Sequence, residues 1–152
     1  MNKTLILVRH GHRNKALGHE IDNGISSKGT RQVLRIGKRF RKLYPDEEVL
    51  VVSSPKRRCI ETVAPLVDDD ESKVQIMAAL DEDGDLDRKT KDFIRWWRDE
   101  APPLTVACSH GDWLPIALKA LTGARADMKK GGWAEIVDDD GVVKLKWLLQ
   151  EP

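Results

Sequence analysis

The segment Thr4–Gly11, which reads TLILVRHG, is the stretch of the chain that decides the fold. Its first five residues are apolar or β-branched, and they end at the polar pair Arg9 and His10. A short run of this composition is typical of a strand buried on both faces, as strands of parallel sheets are. Two later runs have the same character, VLVV at 49–52 and LTVAC at 104–108. We therefore expect three parallel strands, each ending next to polar residues.

Segments with helical periodicity separate the predicted strands. They are Gly29–Leu43, Arg88–Asp99 and Trp113–Leu121, the last with Asp112 as its N-cap. In the first segment, apolar side chains recur on one face while lysines and arginines cover the rest, which indicates a helix with a solvated basic face. Strands that alternate with helices predict an α/β domain whose sheet is mostly parallel.

The last part of the chain predicts antiparallel strands instead. The runs Trp133–Val137 and Val142–Trp147 flank the turn DDDG at 138–141, which is typical of a hairpin. This hairpin would give the sheet an antiparallel edge, and Val74–Met77 is predicted to add one further short strand.

The composition limits the class of protein. The 152 residues carry a net charge of +1, with 40% hydrophobic and 34% charged residues, which predicts one globular domain over 1–152, expected to be a monomer. This near neutrality argues against nucleic-acid binding, and the apolar runs are too short for a membrane span or signal peptide, so we expect a cytoplasmic protein. Cys59 and Cys108 lack the paired spacing of a zinc site and are expected to be buried apolar residues.

Histidines and arginines lie shortly after the ends of the three predicted parallel strands. Arg9 and His10 follow the first, Arg58 follows the second, and His110 follows the third. In an open α/β sheet, ligands bind beyond the carboxyl ends of the strands, so these side chains are expected to meet in one crevice. Two imidazoles among fixed positive charges suit a phosphoryl dianion and suit a metal cation poorly, so no metal is expected.

Three sequence blocks resemble the histidine phosphatase (phosphoglycerate mutase-like) superfamily. They are Arg9-His10-Gly11, the block SPKRR at 54–58 with Thr62, and SHGDW around His110, and a weaker helical block is present at Gly29 and Gln32. The short chain and its hairpin ending look most like the small SixA-like phosphohistidine phosphatases. The resemblance implies a three-layer α/β/α sandwich and catalysis without a cofactor.

The resemblance also implies roles for individual residues. His10 matches the nucleophile that carries the phosphoryl group, and Arg9, Arg58 and His110 match the groups that bind its oxygens. Arg13 resembles a further phosphate ligand of the longer acid-phosphatase branch. His12 and His19 are interpreted as loop histidines.

The proton donor is less well defined by the sequence. Leu80-Asp81-Glu82 fits the step in which larger members of the superfamily carry their acid, so Glu82 is the first candidate. Small phosphohistidine phosphatases usually lack this acid. Alternative donors are Asp81, Asp83, Asp85 and Asp112.

Three functional hypotheses follow. The first is a phosphatase for protein phosphohistidine, and the second is a phosphomonoesterase for a small metabolite or nucleotide that uses Glu82. The third is a domain that binds a phosphorylated ligand without turnover. A functional Glu82 would favour oxygen esters, because an imidazole leaving group needs less protonation.

Overall fold

The computed structural model describes residues 2–16, 18 and 20–152, so the interpretation of His19 lies outside the described residues. A six-stranded sheet forms the centre of the fold, in the order β3-β2-β4-β1-β5-β6. The strands are β1 (Lys3–Arg9), β2 (Leu50–Ser53), β3 (Gln75–Ile76), β4 (Leu104–Ser109), β5 (Trp133–Asp139) and β6 (Val142–Leu149).

The strand directions confirm the predicted mixed sheet. β1 and β2 each pair in parallel with β4, and β3 pairs in parallel with β2. β5 runs antiparallel to β1, and β6 runs antiparallel to β5. The carboxyl ends of the four parallel strands therefore lie at one edge of the sheet.

Four α-helices connect the strands. They are α1 (Ser27–Leu43), α2 (Arg57–Val63), α3 (Leu86–Asp99) and α4 (Leu114–Thr122). Three of them confirm the predicted helical segments, whereas α2 was not predicted. Its seven residues begin with two arginines and are too few to show a helical period.

The predicted N-cap of the last helix is wrong. Trp113, not Asp112, is the N-cap residue of α4, and its side chain makes no capping hydrogen bond. The chain turns first after β4, where the Leu114 amide donates to the carbonyl of His110 at 3.1 Å. This turn shifts the start of the helix by one residue and places Asp112 in the turn itself.

Two hydrophobic clusters cover the two faces of the sheet. Leu5 and Leu7 of β1 point to the cluster that includes Phe93 of α3 and Leu118 of α4. The alternate β1 residues Ile6 and Val8 belong to the other cluster, together with Ile36 and Phe40 of α1 and Val63 of α2. Because side chains alternate along a strand, this pattern shows helices on both faces of the sheet, which is the expected three-layer α/β/α sandwich. Cys59 and Cys108 are free and buried, as expected.

α1 has the predicted amphipathic character. Ser26 caps it by accepting a hydrogen bond from the Gly29 amide at 3.1 Å. Val33, Ile36 and Phe40 are buried, whereas the lysines and arginines between them are exposed. In the described part of the chain, each helix is too short or too polar to cross a membrane.

Candidate active site

Three distant segments of the chain meet at the carboxyl edge of the parallel strands. His10 comes directly after β1, His110 comes directly after β4, and Arg58 lies in the first turn of α2. The two imidazole rings have their centroids 5.4 Å apart, and Nη2 of Arg58 lies 3.3 Å from Nδ1 of His110. The structure thus brings together three of the four residues that the strand-end pattern singled out, and the fourth, Arg9, lines the same cleft.

His10 is held in one orientation and one tautomer. Its side chain is buried, and Nδ1 lies 2.8 Å from the carbonyl oxygen of Gly11. A carbonyl oxygen can only accept a hydrogen bond, so Nδ1 carries the hydrogen and the lone pair is left on Nε2. Burial lowers the pKa of His10 to about 3, helped by Arg58, His110 and Arg9 and opposed by the bond to Gly11. The ring is therefore neutral at pH 7 and has a nucleophilic nitrogen.

The loop that carries His10 is fastened to α2. The amide of Gly11 donates to Oγ1 of Thr62 at 2.9 Å, and this hydroxyl donates to the carbonyl of Arg58 at 2.6 Å. The threonine of the second sequence block therefore ties the His10 loop to the helix that carries Arg58.

The loop beyond Gly11 is fastened to α1. The amide of His12 donates to Oε1 of Gln32 at 2.7 Å. A Cβ atom at Gly29 would lie 2.3 Å from the carbonyl oxygen of His12, so only glycine permits this close approach. The weak helical block at positions 29 and 32 therefore positions the same loop from its other side.

His110 lies between a hydroxyl group and an acid. Its Nε2 is 2.8 Å from Oγ of Ser54, and its Nδ1 is 3.4 Å from Oε2 of Glu82. Burial lowers the pKa of His110 to about 3, and the charges of Arg58 and Lys56 act in the same direction. Before a ligand binds, both imidazoles of the site are neutral, and the positive charge resides on the arginines.

The guanidinium groups of Arg9 and Arg58 each donate to a protein oxygen from one nitrogen. Arg58 is buried and its Nη2 donates to Oε1 of Glu82 at 2.6 Å, while Nη1 of Arg9 donates to the carbonyl of Met128 at 2.6 Å. Nε of both side chains has no hydrogen-bond partner among the described residues. A Cβ atom at Gly111 would lie 2.6 Å from Cζ of Arg9, so this glycine allows the guanidinium to lie against the backbone. Such oriented donors suit the oxygens of a phosphoryl group.

These residues line a cleft of about 300 Å³, which we call the histidine cleft. Its lining consists of Arg9, His10, Arg13, Lys15, Arg58, Glu82, His110, Gly111, Asp112 and Lys130. Sequence reasoning missed Lys15 and Lys130, because they belong to none of the three blocks. No three His, Cys, Asp or Glu side chains cluster as metal ligands in the part of the chain that the structure describes.

The structure separates the candidate acids by position. Glu82 lies in the cleft, with its side chain 34% exposed and in contact with Arg58 and His110. Asp112 also lines the cleft, and Oδ1 of Asp81 lies 3.9 Å from Nε2 of His110. The two remaining candidates, Asp83 and Asp85, lie elsewhere.

Asp83 and Asp85 do not line the histidine cleft. The side chain of Asp83 is 75% exposed and pairs with Lys56 at 3.5 Å. Asp85 is the N-cap of α3, and its carboxylate accepts a hydrogen bond from the Arg88 amide at 3.2 Å. A capping carboxylate already has a structural role.

Arg13 and His12 lie on different sides of the same loop. Arg13 lines the histidine cleft, and its Nη2 donates to the carbonyl of Ile21 at 3.0 Å. His12 does not line that cleft, and its Nδ1 lies 2.7 Å from Oγ of Ser26 at the start of α1. This position agrees with its interpretation as a loop histidine.

Comparison with known proteins gives a matching family and a matching fold. The family model described as histidine phosphatase superfamily (branch 1) matches residues 5–95. One similar structure is the protein histidine phosphatase SixA complexed with tungstate, at 18% identity, TM-score 0.74 and 96% coverage of both chains. Another is phosphoserine phosphatase from Entamoeba histolytica in complex with 3-phosphoglyceric acid, at 15% identity and TM-score 0.77, covering 97% of this chain and 96% of that one.

A third similar structure is a mycobacterial glucosyl-3-phosphoglycerate phosphatase, at 14% identity and TM-score 0.72, with 99% of both chains covered. At identities this low, the likeness shows the fold alone, and it confirms the predicted phosphoglycerate mutase-like architecture. A search among curated proteins found no match.

Proposed function

The chain belongs to the histidine phosphatase superfamily and is a phosphatase, and on this premise we propose that Nε2 of His10 is its nucleophile. The observation that carries the proposal is the 2.8 Å contact between Nδ1 of His10 and the carbonyl of Gly11. It aims the lone pair of a neutral ring away from the backbone, and a neutral imidazole is the form that attacks phosphorus.

The proposed reaction has two steps. In the first, Nε2 of His10 forms a bond to phosphorus while the bond from phosphorus to the leaving group breaks, which gives a phosphohistidine. In the second, water attacks phosphorus, the bond to Nε2 breaks, and inorganic phosphate leaves. In this proposal the phosphoryl oxygens, where charge is spread in the transition state, accept hydrogen bonds from Arg9, Arg58 and His110.

We propose that Glu82 protonates an oxygen leaving group and then activates the attacking water. Its carboxyl group lies in the cleft, and the partial exposure of its side chain gives it access to protons from solvent. A general acid gives its proton to the leaving oxygen, and a carboxyl group within the cleft is of the chemical type that does so. The presence of an acid at this place supports a phosphomonoester as the substrate.

Protein phosphohistidine is the second candidate substrate. The Glu82 side chain is 34% exposed at the cleft, which supports entry of a side chain of another protein. Its imidazole leaving group would need less help from an acid. Binding without turnover is less well supported, because nucleophile, arginines and second histidine are all present in one cleft.

A substrate panel with one matched pair of variants distinguishes these candidates. The panel holds an aryl phosphate, sugar phosphates, nucleotides and a phosphohistidine protein, and kcat/KM is measured without added metal and with a chelator. Glu82→Gln is expected to slow ester hydrolysis by about 10²–10⁴-fold and phosphohistidine hydrolysis by much less. Asp83→Asn changes the same charge in the same loop and is expected to stay within about twofold on both.

Equal losses of Glu82→Gln on esters and on phosphohistidine would contradict the role of Glu82 as a proton donor. No turnover of any substrate in the panel would contradict the proposed role of His10 as the nucleophile.

A further inference from the structure

A second cleft adjoins the histidine cleft on the side of α1. It has a volume of about 400 Å³, and we call it the lysine cleft. Its cationic side chains are Arg9, Lys28, Arg35, Lys129 and Lys130, and Glu151 is the single carboxylate side chain among the described residues that line it. Arg9 and Lys130 line both clefts, so the two volumes are neighbours across these shared side chains.

Cationic side chains outnumber carboxylate side chains among the described residues that line the lysine cleft. Lys28, Arg35, Lys129 and Lys130 form no ion pair with any residue that the structure describes. Burial lowers the pKa of Lys130, and the nearby charges of Lys15, Arg9, Arg13 and Lys28 lower it further. Cations that crowd one concave surface repel each other, and a bound anion relieves this repulsion.

The same charges act on His12, which lines the lysine cleft. Burial lowers the pKa of His12, and the charges of Lys130, Lys28 and Lys15 contribute in the same direction. Side chains from the His12 loop, from α1 and from the segment before β5 therefore contribute to one positive field.

The walls of the lysine cleft are fixed by side-chain amides. Gln32 of α1 donates from Nε2 to the carbonyl of Lys130 at 3.4 Å, and Oε1 of Gln150 accepts from the Lys129 amide at 2.7 Å. The Gly131 amide donates to the carbonyls of Arg9 and His10, both at 3.1 Å. The segment that carries the two lysines is thus attached to the backbone of His10, which fixes the distance between the clefts before any ligand binds.

We propose that the lysine cleft is a second anion-binding subsite, which takes a further phosphate group of the same small-molecule substrate. This inference rests on the proposed transfer to His10 and adds that the substrate class is a phosphomonoester with a second phosphate. A small molecule fits better than an acidic protein surface, because the cations line a concave volume that shares Arg9 and Lys130 with the histidine cleft. Lys28 and Arg35 distinguish the subsite from the proposed catalytic site, since both line the lysine cleft and neither lines the histidine cleft.

The test measures binding rather than turnover. Alkane bisphosphonates of increasing chain length are compared with alkyl monophosphonates of equal length by titration calorimetry, because their P–C bonds are not hydrolysed. We expect one chain length of bisphosphonate to bind at least about tenfold more tightly than its monophosphonate, with the gain falling at shorter and longer lengths and at high salt.

Variants then show which residues cause the tighter binding of the bisphosphonate. The double variant Lys28→Ala/Arg35→Ala is expected to lose most of the roughly tenfold gain for the bisphosphonate and to bind the monophosphonate within about twofold of the unchanged protein. The double variant Arg31→Ala/Lys38→Ala is the matched control, since it also removes two exposed cations of the same helix, and these line neither cleft. It is expected to keep the gain.

Three results would overturn the subsite. They are equal binding of mono- and bisphosphonates at all lengths, a gain that survives in the double variant, and a gain that the control variant loses as fully as the double variant does. Monophosphonate binding and ester hydrolysis report on the histidine cleft alone. A failure of the subsite is therefore distinguishable from a failure of the proposed function.

Discussion

Lowering the pH is expected to destabilise the fold through His10 and His110. Burial lowers the pKa of each from the ordinary value of 6.5 to about 3. Between these values the unfolded chain binds protons that the folded chain does not, so stability falls as the pH drops below 6.5 and the loss continues to about pH 3. At about pH 5 the expected loss is about 2 kcal/mol for each histidine, and up to about 4 kcal/mol for both.

Urea denaturation followed by circular dichroism measures this effect at a series of values between about pH 8 and about pH 5. His10→Asn and His110→Asn remove one titrating group each while keeping a polar side chain. Over this range, the free energy of unfolding of each variant should fall by about 2 kcal/mol less than that of the unchanged protein. His12→Asn is the control and should change the pH dependence much less, because His12 is less buried than the other two.

The reasoning is refuted if the unchanged protein and the His10 and His110 variants lose stability in parallel between about pH 8 and about pH 5. Titration of either ring near 6.5, followed by NMR, would refute it as well.

Two further variants test how the site is held. Thr62→Val leaves the buried Gly11 amide without its 2.9 Å acceptor, so urea denaturation should show a free energy of unfolding that is about 1–3 kcal/mol lower. Thr62→Ser keeps the hydroxyl group and should restore most of this stability. Similar stability of the two variants would contradict the role of the hydroxyl group. Arg58→Lys keeps the charge but removes the forked donor, and steady-state kinetics should show kcat/KM for an aryl phosphate about 10²-fold lower. The side chain of Arg57 pairs with exposed Glu71, so Arg57→Lys should keep kcat/KM within about twofold of the unchanged protein. Equal losses of kcat/KM in the two lysine variants would rule out a specific role for Arg58.

The features that the sequence predicted well are local ones. An apolar run that ends at Arg9 and His10 predicts both a buried strand and the edge of the sheet where His10 meets His110, because the carboxyl ends of parallel strands share one edge. The amphipathic pattern of α1 likewise depends on residues within one helix.

The features that the sequence left open depend on distant contacts. One acidic segment contains Glu82, Asp83 and Asp85. Only the fold shows that Glu82 contacts Arg58, whereas Asp85 caps α3. Lys130 reaches the histidine cleft through contacts of its segment with residues far away in the chain, which no local pattern indicates. Asp112 was expected to cap a helix, but the turn after β4 placed it in the cleft instead.

The most direct test of the mechanism is to trap the phosphorylated enzyme. The protein is mixed with a fast phosphomonoester substrate, stopped within the first turnover in alkaline denaturant, where phosphohistidine survives, and analysed by peptide mass spectrometry. We expect one phosphoryl group on His10, none in His10→Ala, and labelling of His12→Ala equal to that of the unchanged protein. A phosphoryl group on another residue, or full hydrolytic activity in His10→Ala, would contradict the mechanism.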